Sequence, residues 1–589
     1  MAVSIPSVTV SMQNHSGTVV YRNLVINQAV NDHHHFSYIW NVGTLNHDAG
    51  SQLDIIKNNI GSVVTIEIDD YRFQGIITQM SVHAQTDSSQ SFTVKGQSIT
   101  ILLDDVPHSA SYYKKDLKKI INATLDGIPG NVMSTSIDPQ TTDELHYVTQ
   151  YNETDWQFLQ RLATRYGEWF YYDGTALKFG PTGDTNATLR SGSNLTSYTV
   201  KANIVSNKYN YTSYDDHKGE PVTKEQASFS SDVNNDFSNA VAGKSKDVYT
   251  RSVDRPMHNF NLLNKAMVDA VAELDMKRLA AQLLFANGES KHGALRPGYK
   301  FVVETANGNY DYIATHVTHT SNVVGHYENS FRGVPATVKV PPYTNPHTFR
   351  QANTQTALVK ENHDPDGINR VKVQFFWQKQ NDMTPWIRLG TPHAGGGKGM
   401  HIVPEKGEEV IVAFIGGDVD KPFVVNSIYS GSAKSGGGDA DNNVKSFSSR
   451  SGNKISLDDK DGCVIIVDKA GNELKIDGSG NISLTASESI TLTSGQSSIS
   501  LKKDGTISIK GNKTVEIEGT TDSVKIASTN KVEISGTASA LLKSDAKVEV
   551  KSAMTSVEGQ GSLKLSSTGM VDIEGTAMTN VKGGVVNLN

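Results

Sequence analysis

Three consecutive histidines, His33-His34-His35, are the first residues in the chain suited to chemistry, as ligands for a metal ion. Neighbouring side chains on a strand point to opposite faces, so at most His33 and His35 could share an ion. No cysteine or acidic cluster adjoins them, and they read as solvent-exposed loop or strand histidines. Glu153, Asp155 and Glu168 have the chemistry of general acids or bases. Acids at a helix start are usually caps that complement its dipole, and that is the better reading here. Gly395-Gly-Gly-Lys-Gly399 invites comparison with a phosphate loop. It lacks the flanking strand and helix and the Gly-Lys-Ser/Thr ending, so a flexible turn is expected. The sequence therefore predicts no catalytic, cofactor-binding or metal-binding residue, and no enzyme.

The elements around these residues are mainly strands. Alternating runs at Val19–Asn27, Phe36–Val42, Ser62–Ile68, Phe73–His83 and Ser91–Gly96 make residues 1 to 105 a small β-barrel or sandwich. Asp116–Leu125 reads as a short amphipathic helix. Thr154 and Gln157 form a capping box, Phe158, Leu159, Leu162 and Tyr166 share one stripe, and Gly167 ends that helix. Asp173-Gly174 turns a hairpin into Leu177–Phe179. Residues 185–256 are polar, with one strand-like run at Tyr198–Val205. One long helix is expected from Asn261 to Ala286, closed by Asn287-Gly288. Strands return at Phe301–Glu304 and Tyr312–Thr318, and Pro341-Pro342 and Pro346 begin a linker. From Ala357 to Tyr429, five short strands with glycine turns predict an OB-like barrel, with Val371, Val373, Phe375 and Trp377 alternating. Residues 431–443 read as a flexible joint.

Beyond Ile455 an apolar-x-apolar doublet recurs about every eight residues. The doublets include Ile482/Leu484, Ile490/Leu492, Ile499/Leu501, Ile507/Ile509, Val515/Ile517, Val524/Ile526, Val532/Ile534, Val548/Val550, Leu563/Leu565 and Val571/Ile573; Leu541 and Val557 continue the series. Each doublet predicts a short strand with two side chains inward and charged neighbours such as Glu516, Lys531 and Glu549 outward. Two apolar residues per repeat make a thin core, and no aromatic residue follows Phe447. Three chains wound together solve this, each supplying one face of a triangular prism and closing the others' strand edges. At ~4.8 Å per repeat, roughly 16 repeats would climb about 75 Å.

A formal net charge of −7 without a basic cluster argues against nucleic-acid binding. The single Cys463 excludes an intrachain disulfide and fits assembly in a reducing cytoplasm. MAVSIPSVTV lacks the basic start and apolar core of a signal peptide, and no run approaches the ~18 apolar residues of a membrane span.

These blocks resemble the VgrG family, the valine-glycine repeat spikes of type VI secretion systems, and the fused hub and puncturing proteins of contractile phage tails. Gln150 to Leu162 resembles the family's hub motif. Arg370–Phe375, Pro404 with Gly407–Val410, and Gly417-Asp418 with Lys421-Pro422 resemble its OB pattern, and the octad ladder resembles its needle. Spikes of extracellular contractile injection systems share the same parts. The resemblance implies a mainly β fold with some α, divided into a first hub β-barrel (1–105), a hub α+β region with a second barrel (106–350), an OB-fold neck (351–432), a flexible joint (433–454) and a triple-stranded β-helix needle (455–589). Ile482, Leu484, Ile490, Leu492, Ile507, Ile509, Val515, Ile517, Val532, Ile534, Val571 and Ile573 would form the trimer core. Val585, Val586, Asn587, Leu588 and Asn589 would form a platform for a PAAR-type tip protein. The implied partners are two further copies of the chain, an Hcp-like tube protein, baseplate proteins and effectors. The implied life history is cytoplasmic assembly, then delivery by sheath contraction with transient contact to the target membrane. Alternatives are a trimeric carbohydrate-binding tail fibre, or a spike with peptidoglycan-hydrolase or polysaccharide-lyase activity. No acid pair stands out for the latter, and fibres usually end in a globular head.

Overall fold

Every second residue of Val8–Met12 is buried, the pattern of a strand covered on one face. The computed structural model describes residues 5–588 apart from 44–48, 85–89, 216–217, 226–235, 258–264, 324 and 380. It gathers such strands into one twelve-stranded sheet. The sheet runs from Val8–Met12 through Val63–Ile68, Tyr71–Ala84, Gln90–Ser98 and His35–Gly43 to Tyr21–Ala29. It then crosses to Gly308–Ser321, Glu328–Pro335, Leu284–Ser290 and Leu195–Ala202. Gly183–Arg190 and Tyr299–Thr305 attach to the second half. Each half wraps its own core, one around Phe36, Phe73 and Phe92, the other around Leu189, Phe301 and Phe331. The crossing is an antiparallel pair, with Ala29 opposite His316 and Leu24 opposite Ser321.

Five α-helices accompany the sheet among the described residues: α1 (Ala49–Asn59), α2 (Leu117–Thr124), α3 (Asp155–Tyr166), α4 (Asp236–Val248) and α5 (Lys265–Ala280). The Thr154–Gln157 capping box starts α3, and Gly167 ends it in the left-handed conformation. Phe158, Leu159 and Leu162 are fully buried, so the apolar stripe faces a core as its spacing demands. The hairpin of Trp169–Tyr172 with Ala176–Gly180 also forms as expected. Gly174 at its turn sits at φ +108, and a Cβ there would meet Arg72 O at 2.3 Å.

Three expectations need correction. The long helix stops at Ala280, and Leu284–Ser290 is a strand through the Asn287-Gly288 expected to close it. That strand is paired on both sides, by Leu195–Ala202 and Glu328–Pro335, so tertiary pairing overrides the local helical spacing. Asn261 and Leu262 of the expected helix lie outside the described residues. The polar stretch before it contains α4 and a small sheet of Glu220–Lys224, Tyr209–Asp215 and Val253–Pro256. Finally, the proline-rich segment is packed down: Tyr343 Oη donates to Glu168 O at 2.6 Å and accepts from Phe170 N at 2.8 Å.

The chain divides into two compact units, Met1–Gly436 and Gly437–Asn589. The first also contains a five-stranded OB barrel, ordered Ile387–Arg388, Arg370–Phe375, Gln355–Glu361, Glu409–Phe414, Pro422–Ser427. A bridge from Leu389 to Val424 and the bond of Gly390 N to Val424 O nearly close it. Val371, Val373 and Phe375 point inward, as their alternation predicts. The fold is thus mainly β with some α.

In the second unit, Val444–Ser448, Lys454–Asp458, Cys463–Val467, Glu473–Ile476 and Ile482–Thr485 form an antiparallel meander. Val444–Ser448 lies in the stretch expected to be a joint, and its pairing with Lys454–Asp458 makes it the meander's first strand. Ser489–Ser494, Ser497–Lys502 and Ile507–Lys510 form a second sheet. Beyond Lys510 the described chain pairs with itself no further, yet it bends about every eight residues, as the doublet period requires. Gly511, Gly536, Gly559 and Gly575 mark four of these bends, where a Cβ would meet a backbone oxygen three residues on at 2.3–2.7 Å.

Candidate functional site

His33 and His34 are buried, against the exposed reading of their run; His35 alone is exposed. The His33 ring stacks on Trp156 with centroids 3.9 Å apart, and its Nδ1 lies 2.8 Å from Thr100 Oγ1. The cause is tertiary, since α3 carries Trp156 against this turn from far along the chain. Burial lowers the His33 pKa to about 4, despite Asp104 at 3.9 Å. Among the described residues no group of three or more His, Cys, Asp or Glu is placed to hold a metal ion.

The three acids are committed to structure. Glu153 receives Arg161 Nε and Nη2, each at 2.8 Å, in a buried bidentate pair. Asp155 Oδ1 accepts from Gln150 Nε2 at 3.0 Å in the first turn of α3. Glu168 accepts from the backbone N–H of Gln140 and Thr141 at 3.0 and 2.8 Å. Gly395 to Gly399 belongs to an exposed hairpin, Ala394–Gly395 with Lys398–Gly399.

One buried polar arrangement that sequence reasoning missed is the seat of the OB barrel on α3. Asp420 Oδ2 receives Arg165 Nη1 at 2.8 Å, and its Oδ1 receives Thr149 N at 2.7 Å. Asp418 Oδ1 accepts from Asp420 N at 3.0 Å, while its buried Oδ2 meets no donor among the described residues. Burial pushes the Asp418 pKa up to about 6; the Asp420 charge adds to the rise, and Arg165 opposes it. Arg350 donates to Tyr151 O and Asn152 O at 3.1 and 2.8 Å, and Gln378 Nε2 to Ser111 Oγ at 2.7 Å. The Gly417-Asp418 and Lys421-Pro422 pattern marked one partner, but nothing in the sequence pairs it with Arg165, 255 residues away. The arrangement fixes one barrel to one helix.

The candidate assembly surface is in the second unit. In its first sheet the apolar residues stand directly opposite one another: Phe447, Ile455, Ile466, Leu474 and Leu484 in one row, Leu457, Val464, Ile476 and Ile482 in the next. The second sheet repeats this with Ile490, Leu501 and Ile507 beside Leu492, Ile499 and Ile509. The rows before Ile482 belong to the ladder expected from Ile455 onward, on strands spaced less regularly than the later octads. Of the twelve residues expected to form a core between chains, Ile490 is half-buried and the rest are exposed, from 48% at Val515 to 79% at Ile534. Val585, Val586, Asn587 and Leu588 are exposed as well; Asn589 lies outside the described residues.

Residues 41–324 match the family model of the phage tail baseplate hub, and residues 355–429 match that of the type VI secretion and phage-baseplate injector OB domain. The chain is similar to the type VI secretion system spike protein VgrG5 of Pseudomonas aeruginosa, 25% identical over 402 residues, which cover 60% of this chain and 50% of that protein. VgrG4b of the same organism is 26% identical over 346 residues, 49% of this chain and 40% of the relative. The chain thus spans half the length or less of these curated relatives. In fold it resembles the solved structure of the Francisella PdpA-VgrG complex in its half-lidded form. The TM-score is 0.52 at 8% identity, covering 82% of this chain and 88% of the other. The lidded form gives 0.52 at 9% identity, with 82% and 80% covered.

Proposed function

Since the chain belongs to the VgrG-like family of spike and baseplate-hub proteins, we propose that three copies form the spike of a contractile injection machine. The observation that carries this reading is the exposed double row of apolar side chains in the second unit. Burying one such side chain is worth roughly 1.5–3 kcal/mol, so the twelve core residues alone would contribute on the order of 10 kcal/mol or more per chain. Backbone groups after Lys510 have no strand partner in their own chain among the described residues. Two further copies would satisfy both needs at once.

In this reading the hub barrels cap an Hcp-like tube and meet the baseplate. The needle, stiff because its chains interlock, is driven through the target envelope by sheath contraction. Val585, Val586, Asn587, Leu588 and Asn589 offer an apolar platform to a PAAR-type tip protein, and effectors travel with the assembly. The chain contributes shape and stiffness, and the sheath supplies the energy. Assembly takes place in the cytoplasm, and contraction delivers the spike to the outside or into the target cell; among the described residues no helix is long and apolar enough to cross a membrane. Electron microscopy of the purified chain mixed with tubes of its own machine tests this. A spike seated on one tube end is expected, and particles that never engage tube ends would refute it.

A further inference from the structure

At the crossing between the two halves of the large sheet, the antiparallel ladder is joined by buried polar side chains. Gln28, His34 and His319 are each at most 3% exposed. Gln28 Oε1 lies 3.0 Å from His319 Nε2, so that nitrogen carries the proton and donates. His319 Nδ1 then accepts from the Tyr327 hydroxyl at 2.7 Å. Gln28 Nε2 spends its two hydrogens on His34 Nδ1 at 3.0 Å and Tyr71 Oη at 2.6 Å. His34 Nε2 donates to Ala29 O at 3.2 Å, and Asn329 Nδ2 donates to Tyr327 Oη at 2.9 Å. With both imidazoles neutral each ring is satisfied, and with both protonated Gln28 has a single carbonyl oxygen to offer the two rings.

The surroundings offer no countercharge. His34 packs against Phe73 and Tyr172, and His319 against Tyr71 and Tyr327. A cation, Arg296, stands 5.7 Å over the Tyr71 ring. Asp173 is turned toward Thr175, Ala176 and Tyr299, and Asp69 toward Ser7. His33 and His35 flank His34 and would repel a proton there. His292 meets the network through its carbonyl, which accepts from Asn329 Nδ2 at 2.9 Å and lies 3.5 Å from Tyr327 Oη.

We propose that the Gln28-centred network is an acid-sensitive clasp between the two barrels, intact with neutral imidazoles and opened by protons on His34 and His319. A proton on His34 Nδ1 would face the Gln28 amide hydrogens. Flipping that amide satisfies His34 only by turning N–H groups toward His319, and one carbonyl oxygen cannot serve two imidazolium rings. Either proton also adds a buried positive charge with no carboxylate to balance it. Burial accordingly lowers both histidines from 6.5 to about 3. With the folded values depressed, the clasp's stability is complete above pH 6.5 and is lost as pH falls toward 3.

The test is urea unfolding of the full chain at pH 7 and pH 5, followed by tryptophan fluorescence. Trp40, Trp156, Trp169, Trp377 and Trp386 all lie before Gly436, so the signal reports the first unit alone. The two histidines together should raise the unfolding constant about 600-fold between these pH values beyond the rise in His34→Gln/His319→Gln. Equal pH dependence in the two proteins would overturn the proposal. Should the double variant not fold, hydrogen exchange of the wild type decides. Amides of Tyr21–Ala29 and Gly308–Ser321, corrected for intrinsic rate, should lose protection between pH 7 and pH 5 before those of Gln355–Glu361. Unchanged protection at the crossing would equally overturn it.

Discussion

Replacing Asp418 by Asn should stabilise the first unit at pH 7, although it removes an acid beside an arginine. Arg165 faces two buried carboxylates and bonds only one of them, Asp420. The Asp418 pKa is raised from 3.8 to about 6, chiefly by burial. A group raised on folding contributes stability below its unfolded value and loses it as pH climbs through the folded value. The gap corresponds to on the order of 3 kcal/mol at pH 7, which ionised Asp418 costs the native state. Asn keeps an oxygen for Asp420 N at 3.0 Å and places an amide where Oδ2 now meets no donor. Urea unfolding by tryptophan fluorescence should give Asp418→Asn a gain of about 2–3 kcal/mol at pH 7 that vanishes near pH 4, where wild-type Asp418 is neutral. The buried histidines destabilise both proteins alike and cancel in the difference. A loss of stability at pH 7, or a gain unchanged at pH 4, would refute the reasoning.

Arg161→Met should cost about 3–5 kcal/mol, because Glu153 is left buried without its partner; Arg161→Met/Glu153→Leu should cost less, by the same unfolding assay. In the second unit, Ile507→Asp/Ile509→Asp should abolish trimers on sizing columns, since both residues sit in the apolar rows. A trimer that still resists SDS would argue against interlocked chains.

What was legible in the sequence was whatever local spacing determines. Thr154 and Gln157 announce their capping box, Val371 to Phe375 their strand, and the octads their bends, because each pattern lies within one turn or one pleat. The helix expected to reach Ala286 failed because Leu284–Ser290 is claimed by partners on both sides, one of them Leu195–Ala202 far upstream. His33 and His34 misled for the same reason: a polar run is buried because Trp156 and Gln28 complete its bonding and packing. The seat of Arg165 on Asp420 and Asp418 was invisible, since two charged residues far apart carry no mark of their meeting. The doublets, in contrast, were legible as paired rows, because their spacing is local, and the structure leaves those rows exposed.

The central claim is that the exposed apolar rows are covered by two further copies of the same chain. The most direct measurement is the mass of the purified chain by light scattering, before and after mild SDS. A mass near three chains that survives SDS is the predicted result, because interlocked chains cannot leave singly. A monomer in buffer would contradict the account and leave the second unit a self-contained ladder.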